Sequence, residues 1–150
     1  TIRSRCQIVP FLRLNENQVN KIIEKSESIQ ETDDITLNKI RELINFSYGS
    51  PGRYMRNLQY WLSISSPLRN KLEIKLTNQI ELLQLAKEIT DEMNIEQQLW
   101  FIDFQQNRTW IKERNSHKIN QLEELRNQLL KHVQPRFAWE VSLLEINLID

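Results

Sequence analysis

Glycine occurs only twice in the 150 residues, at Gly49 and Gly52, and cysteine only once, at Cys6. Two glycines three positions apart cannot build the phosphate-cradling loops that place several glycines ahead of a helix, so tight nucleotide binding by this chain alone is not expected. One cysteine excludes an intramolecular disulfide and a thiolate cluster, and His117 and His132 lie far apart, so no metal site is expected. No stretch approaches the roughly 20 apolar residues of a membrane span, and the chain reads as cytosolic. An excess of one charge is missing too. Twenty basic and twenty acidic residues cancel, and both sides of Ser65 are near neutral, so neither half has the strong positive field of a free-standing DNA binder. The chain opens on Thr1 with no charged segment leading into an apolar run, which reads as a piece of a longer polypeptide rather than a signal peptide or a natural start.

Leu, Ile, Glu, Lys, Gln and Asn dominate, a composition that favours helices with few sharp turns. The fold class is therefore all-α, with one exception at the start, where Gln7 to Phe11 form a short extended segment around Pro10. Asn15 can cap a helix carrying Val19, Ile22 and Ile23. Thr36 can cap another with Leu37, Ile40, Leu43 and Ile44, stopping near Gly49. A third, from Arg53 to about Leu62, brings Tyr54, Leu58 and Trp61 to one side. Ser65, Ser66 and Pro67 punctuate the chain, Ser66 as a cap and Pro67 at the first helical position, and the domain boundary is placed here, giving units 1–65 and 66–150.

Beyond it the spacing predicts one long helix with Leu68, Leu72, Leu76 and Leu83 on one side and Leu82, Leu85 and Ile89 on another, which implies two neighbours. Asn94 can cap the next helix, with Leu99, Trp100, Ile102, Phe104 and Trp110. Another follows with Leu122, Leu125, Leu129 and Val133, and the last begins at Pro135. That last helix carries two apolar stripes, Phe137–Val141–Leu144–Leu148 and Trp139–Leu143–Ile146. Such a pattern fits a central helix of one bundle as well as a helix between subunits. Carboxylates mostly recur beside basic residues, as in Arg41–Glu42 and Lys87–Glu88, the pattern of solvated helix faces rather than of acid/base pairs.

Three short motifs stand out. Ser4-Arg5-Cys6, with Arg3 beside it, precedes the extended segment; by itself it reads as surface charges at a chain end. Gly49-Ser50-Pro51-Gly52-Arg53 lies between two helical patterns, where Gly49 can take the left-handed helix-ending conformation, Ser50 can cap and Pro51 can start the next helix. On the residues alone it is a helix–turn–helix connection. His132-Val133-Gln134-Pro135-Arg136-Phe137-Ala138-Trp139-Glu140-Val141 runs into Leu143-Leu144.

Taken in order, the three motifs resemble the C-terminal part of the bacterial DNA polymerase III clamp-loader delta-prime subunit: Ser-Arg-Cys closing an AAA+ core, the Gly-Ser-Pro-Gly-Arg sensor-2 segment, and the Asn-x-x-Pro-Arg-Leu-Ala-Leu-Glu pattern of the collar. The resemblance spans nearly the whole chain. Position 132 departs from it, with histidine where asparagine is usual. The resemblance implies the end of the core and a small helical lid over 1–65, followed by a collar, an oligomerisation domain, over 66–150. It implies that Arg5 serves in trans as an arginine finger on a neighbour's ATP, where a planar, permanent cation can stabilise charge on the transferred phosphoryl group. Arg53 would be a nucleotide-sensing residue, and Pro135, Arg136, Trp139, Leu143 and Ile146 would face other subunits. No cofactor is then expected in this fragment, with ATP and magnesium held by neighbouring subunits. The fragment is non-enzymatic, and its partners are the gamma/tau and delta subunits and, through the assembled loader, the sliding clamp and primed DNA, with no membrane. The alternatives are the corresponding part of the ATP-hydrolysing gamma/tau subunit, or an unrelated helical scaffold.

Overall fold

The computed structural model describes residues 12–15, 17–18, 21, 37–74 and 76–147. The extended segment expected over 7–11, the Thr36 cap, and the apolar positions Val19, Ile22, Ile23 and Leu148 lie outside them. Among the described residues all regular structure is helical: α1 (Leu37–Phe46), α2 (Pro51–Ser63), α3 (Ser66–Glu73), α4 (Gln79–Glu92), α5 (Ile95–Lys112), α6 (Ser116–Leu130) and α7 (Pro135–Asn147). The all-α expectation holds. Two compact units share the chain, Thr1–Asn57 and Leu58–Asp150.

In the first unit, Asn15 and Gln18 form a reciprocal capping box: Gln18 N–H donates to Asn15 Oδ1 at 2.9 Å and Asn15 N–H to Gln18 Oε1 at 3.0 Å. Two orphan amides at a helix start are thereby satisfied. Leu43, Ile44 and Tyr54 are buried, at the helical spacing read from the sequence, and Phe46, which that reading did not include, is buried with them.

The second unit contains the rest of α2 and the helices α3 to α7. The long helix expected over 66 to about 89 is instead two helices. At Ile74 the backbone turns extended (φ −96°, ψ 138°), and Asn78 restarts the helix by accepting from Ile80 N–H. Leu76 keeps helical spacing from Leu72, but β-branched Ile74 and Thr77 lose rotamer freedom in a helix, and Asn78 competes better as a cap. The cap of α3 is Ser65, one residue before the expected Ser66, with its hydroxyl accepting from Leu68 N–H at 3.4 Å. Asn94 caps α5 as read, in a full capping box with Gln97.

α5 packs on α6, and α7 lies against both α4 and α6. Their shared interior contains Leu85, Ile89, Phe101, Ile102, Phe104, Leu122, Leu125, Leu129 and Trp139. Side chains of this kind each contribute roughly 1.5–3 kcal/mol when fully buried. A ring cluster joins the end of α2 to α5: Tyr60 tilts on Trp100 at 5.4 Å, Trp61 on Phe104 at 6.1 Å, and Trp100 stacks on Phe104 at 5.7 Å. At its edge Tyr60 Oη–H donates to Glu96 at 2.6 Å, and Gln97 Nε2–H to Ser63 Oγ at 2.9 Å. Among the described residues no helix is long and apolar enough to cross a membrane.

Candidate functional site

Of the residues singled out from the sequence, Ser4, Arg5 and Cys6 lie outside the described residues. The others fall at two places, one in each unit.

The first is the turn between α1 and α2. As α1 ends, Ser47 N–H is shared between the carbonyls of Leu43 and Ile44, both at 3.0 Å, and Ser47 Oγ–H donates to Ile44 O. Two left-handed residues follow, Tyr48 at φ 51° and Gly49 at φ 77°. For an L-residue with a bulky side chain that conformation is strained, whereas glycine takes it freely. Gly49 is required for a second reason. Leu14 N–H donates to its carbonyl at 3.3 Å, and a Cβ on Gly49 would stand 2.3 Å from Leu14 O. Ser50 then opens α2, its carbonyl accepting from Tyr54 N–H at 3.0 Å and its hydroxyl from Arg53 N–H at 3.4 Å, with Pro51 as the first helical residue. Gly52 has open space around its Cβ position, so packing does not require glycine there.

Arg53 is exposed, and its guanidinium carbon sits 5.2 Å from the centroid of the Tyr48 ring. One residue on, Tyr54 is fully buried, and its hydroxyl finds no hydrogen-bond partner among the described residues. Burial pushes that hydroxyl above the ordinary tyrosine range.

The second place is α7 with the turn before it. α6 ends at Leu130 and the chain makes a Schellman turn: His132 N–H donates to Leu129 O and Val133 N–H to Gln128 O, both at 3.1 Å. His132 takes φ 60°. Histidine, like asparagine, is enriched in that left-handed region, so the residue type here suits the backbone. Val133, assigned from its spacing to the helical stripe, is thus the residue closing the turn. Gln134 O then accepts from Ala138 N–H, and Pro135 starts α7.

The two apolar stripes of α7 have different environments. Trp139 is 2% exposed, and beside it Ala138 and Ser142 are buried, while Phe137 is 59% exposed. Trp139 is thus the inward residue, its indole a core group of this unit tilted against Phe101 at 6.2 Å, while Val141 and Leu144 of one stripe and Leu143 and Ile146 of the other are all half-buried. The sequence pattern singled out no partner for its N–H. It is Gln98, itself 2% exposed, whose Oε1 accepts from Trp139 Nε1–H at 2.9 Å and whose Nε2–H donates to Met93 O at 2.8 Å. A glutamine in a polar-rich helix start carries no local mark of such burial.

Leu143 and Ile146, further along the same stripe, are half-buried and line an open cleft of about 220 Å³ with Leu72, Leu85, Phe101 and Leu122. The charges near this cleft are paired within the unit, Lys71 with Glu88 and Lys118 with Glu113. Arg136 stays on the exposed side and pairs with Glu140 at 2.8 Å. Among the described residues no three His, Cys, Asp or Glu side chains are grouped to hold a metal.

Neither place resembles a catalytic centre: the first is a strained turn carrying one exposed cation, the second an apolar helix surface beside a cleft. A family model described as cyanobacterial DNA polymerase III delta prime, C-terminal domain, matches residues 17–146. No curated protein and no solved structure matches the chain.

Proposed function

Because this chain belongs to the family of the cyanobacterial DNA polymerase III delta prime C-terminal domain, we propose that it acts in DNA replication as a non-catalytic part of the clamp loader, the assembly that places the sliding clamp on primed DNA. The family match over 17–146 is the observation that carries this reading. In it, residues up to 65 supply the end of an AAA+ core and a helical lid, and residues 66–150 a collar that joins the chain to the gamma/tau and delta subunits in the cytoplasm. Arg5 is the arginine finger presented to a neighbour's ATP and magnesium, and Arg53 is a nucleotide-sensing contact. These 150 residues contain no phosphate loop, and in this reading the ATP that Arg5 meets is held by a neighbouring subunit.

On the collar, Phe137 and Arg136 mark the outward side of α7, Leu143 and Ile146 are reached through the cleft, and Trp139 holds the helix from within. A buried indole supports an interface by fixing the helix that carries it, not by touching the partner.

Two measurements test the reading. The purified chain should associate with gamma/tau and delta subunits in analytical ultracentrifugation, and Phe137→Ser should weaken association while leaving the melting temperature nearly unchanged. Association with neither subunit refutes the collar. In the assembled loader, Arg5→Ala should lower clamp-stimulated ATP hydrolysis, by a factor of about 10³ at the one site the finger serves, with Arg3→Ala as the neighbour control. Full activity of the Arg5→Ala loader removes the finger.

A further inference from the structure

Tyr48 is held in a backbone conformation that bulky residues avoid, φ 51°, directly before a glycine that takes the same region at no steric cost. Glycine or asparagine at position 48 would make the same turn with less strain, so an account of tyrosine there turns on what its ring touches. One side of that account is Phe46, a buried core residue whose ring lies 6.2 Å away at 55°. The other is Arg53, whose guanidinium carbon stands 5.2 Å from the Tyr48 ring centroid. Within about 6 Å of an aromatic face a guanidinium is attracted by the ring quadrupole, and planar arginine stacks there in a way lysine does not. Phe46, Tyr48 and Arg53 thus form a ladder from the core to the surface.

We propose that Tyr48 is a positioning residue for Arg53: the left-handed turn places its ring as a seat for the guanidinium, which presents a fixed cation from the first turn of α2. A side chain with Arg53's rotamer freedom would otherwise sample many directions, and a seat on one face leaves the N–H groups at the guanidinium edge available to an anion. Backbone strain persists where surrounding structure over-determines it, and here it sets the position of one charge. The value of that position rests on the reading of Arg53 as a phosphate contact, but the seat itself is a property of this chain alone.

The test is the Arg53 side-chain NMR signature in the 150-residue chain. Ring current should displace the Arg53 Hδ and Hε resonances from those of exposed arginines in the wild type and in Tyr48→Phe. The displacement should vanish in Tyr48→Leu and Tyr48→Gly. Tyr48→Gly relieves the backbone strain, so it stays folded and the comparison survives even if Tyr48→Leu does not. Arg53 resonances unchanged by Tyr48→Gly, or indistinguishable from exposed arginines in the wild type, overturn the proposal. Arg53→Ala in the assembled loader separates the two ideas. Unchanged nucleotide dependence there, with the spectra as expected, rejects the phosphate contact and keeps the seat; altered dependence without the ring-current displacement rejects the seat and keeps the contact.

Discussion

Trp139 and Gln98 lie 41 residues apart in sequence, yet the indole N–H of one donates to the side-chain oxygen of the other at 2.9 Å, both almost completely buried. Because Gln98 passes the link on to the Met93 carbonyl where α4 ends, one side chain ties three helices. Trp139→Phe should strand the Gln98 oxygen in the interior and cost about 1–3 kcal/mol, read as a lower urea midpoint. Adding Gln98→Leu should recover part of that loss, since no polar group is then left unpaired except at Met93, and a double-mutant cycle would show the coupling.

The two glycines of the α1–α2 turn should respond oppositely to alanine. Gly49→Ala meets both a positive φ and the Leu14 carbonyl, so the backbone term alone costs roughly 1–2 kcal/mol. Gly52→Ala adds a methyl to open space inside a helix and should stabilise by up to about 1 kcal/mol. Urea midpoints of the two variants, moving apart on either side of the wild type, are the check.

Tyr54 should make the protein sensitive to alkali. Its hydroxyl is neutral when buried, and burial raises its folded pKa above the unfolded value near 10.0. The folded state therefore keeps the proton that the unfolded state releases. This contribution is fully present below the unfolded pKa and is lost as pH rises toward the folded one. Melting temperature should fall as pH increases past 10, and Tyr54→Phe should flatten that fall. Since the hydroxyl has no partner among the described residues, the phenylalanine variant should be no less stable at neutral pH.

At position 132 the backbone decides. Asparagine or glycine should be neutral to stabilising by up to about 1 kcal/mol, while His132→Val should cost roughly 1–2 kcal/mol, because a β-branched side chain crowds the left-handed conformation. Thermal unfolding of the three variants gives the order directly.

These particulars show what a sequence displays and what it conceals. Caps are local, so Asn94, and Ser50 before Pro51, could be read from neighbouring residues. The break at 74–78 could not, because Leu76 falls on the stripe begun by Leu68 and Leu72, and a periodic pattern does not register which side chains prefer to stop a helix. The inward place of Trp139 on α7 was equally concealed: both stripes are apolar, and its indole N–H is met by a glutamine in another helix. Likewise Tyr48 looks like any aromatic residue near a glycine until its φ and its neighbour Arg53 are known.

The placement of α7 against both α4 and α6 also bears on the loop-closure cost of completing this unit. α5 and α6 are consecutive and can pair across a short turn, at little loop-closure cost. The packing of α7 on α4 spans all of α5 and α6, a larger loop to close, and Leu85 and Ile89 of α4 are buried once it is made. Among the contacts of this unit, the docking of its final helix is the one with the greatest span to close. On a ribosome it would be completed only once the residues from Pro135 onward had emerged, leaving the preceding helices to wait as an open-sided assembly.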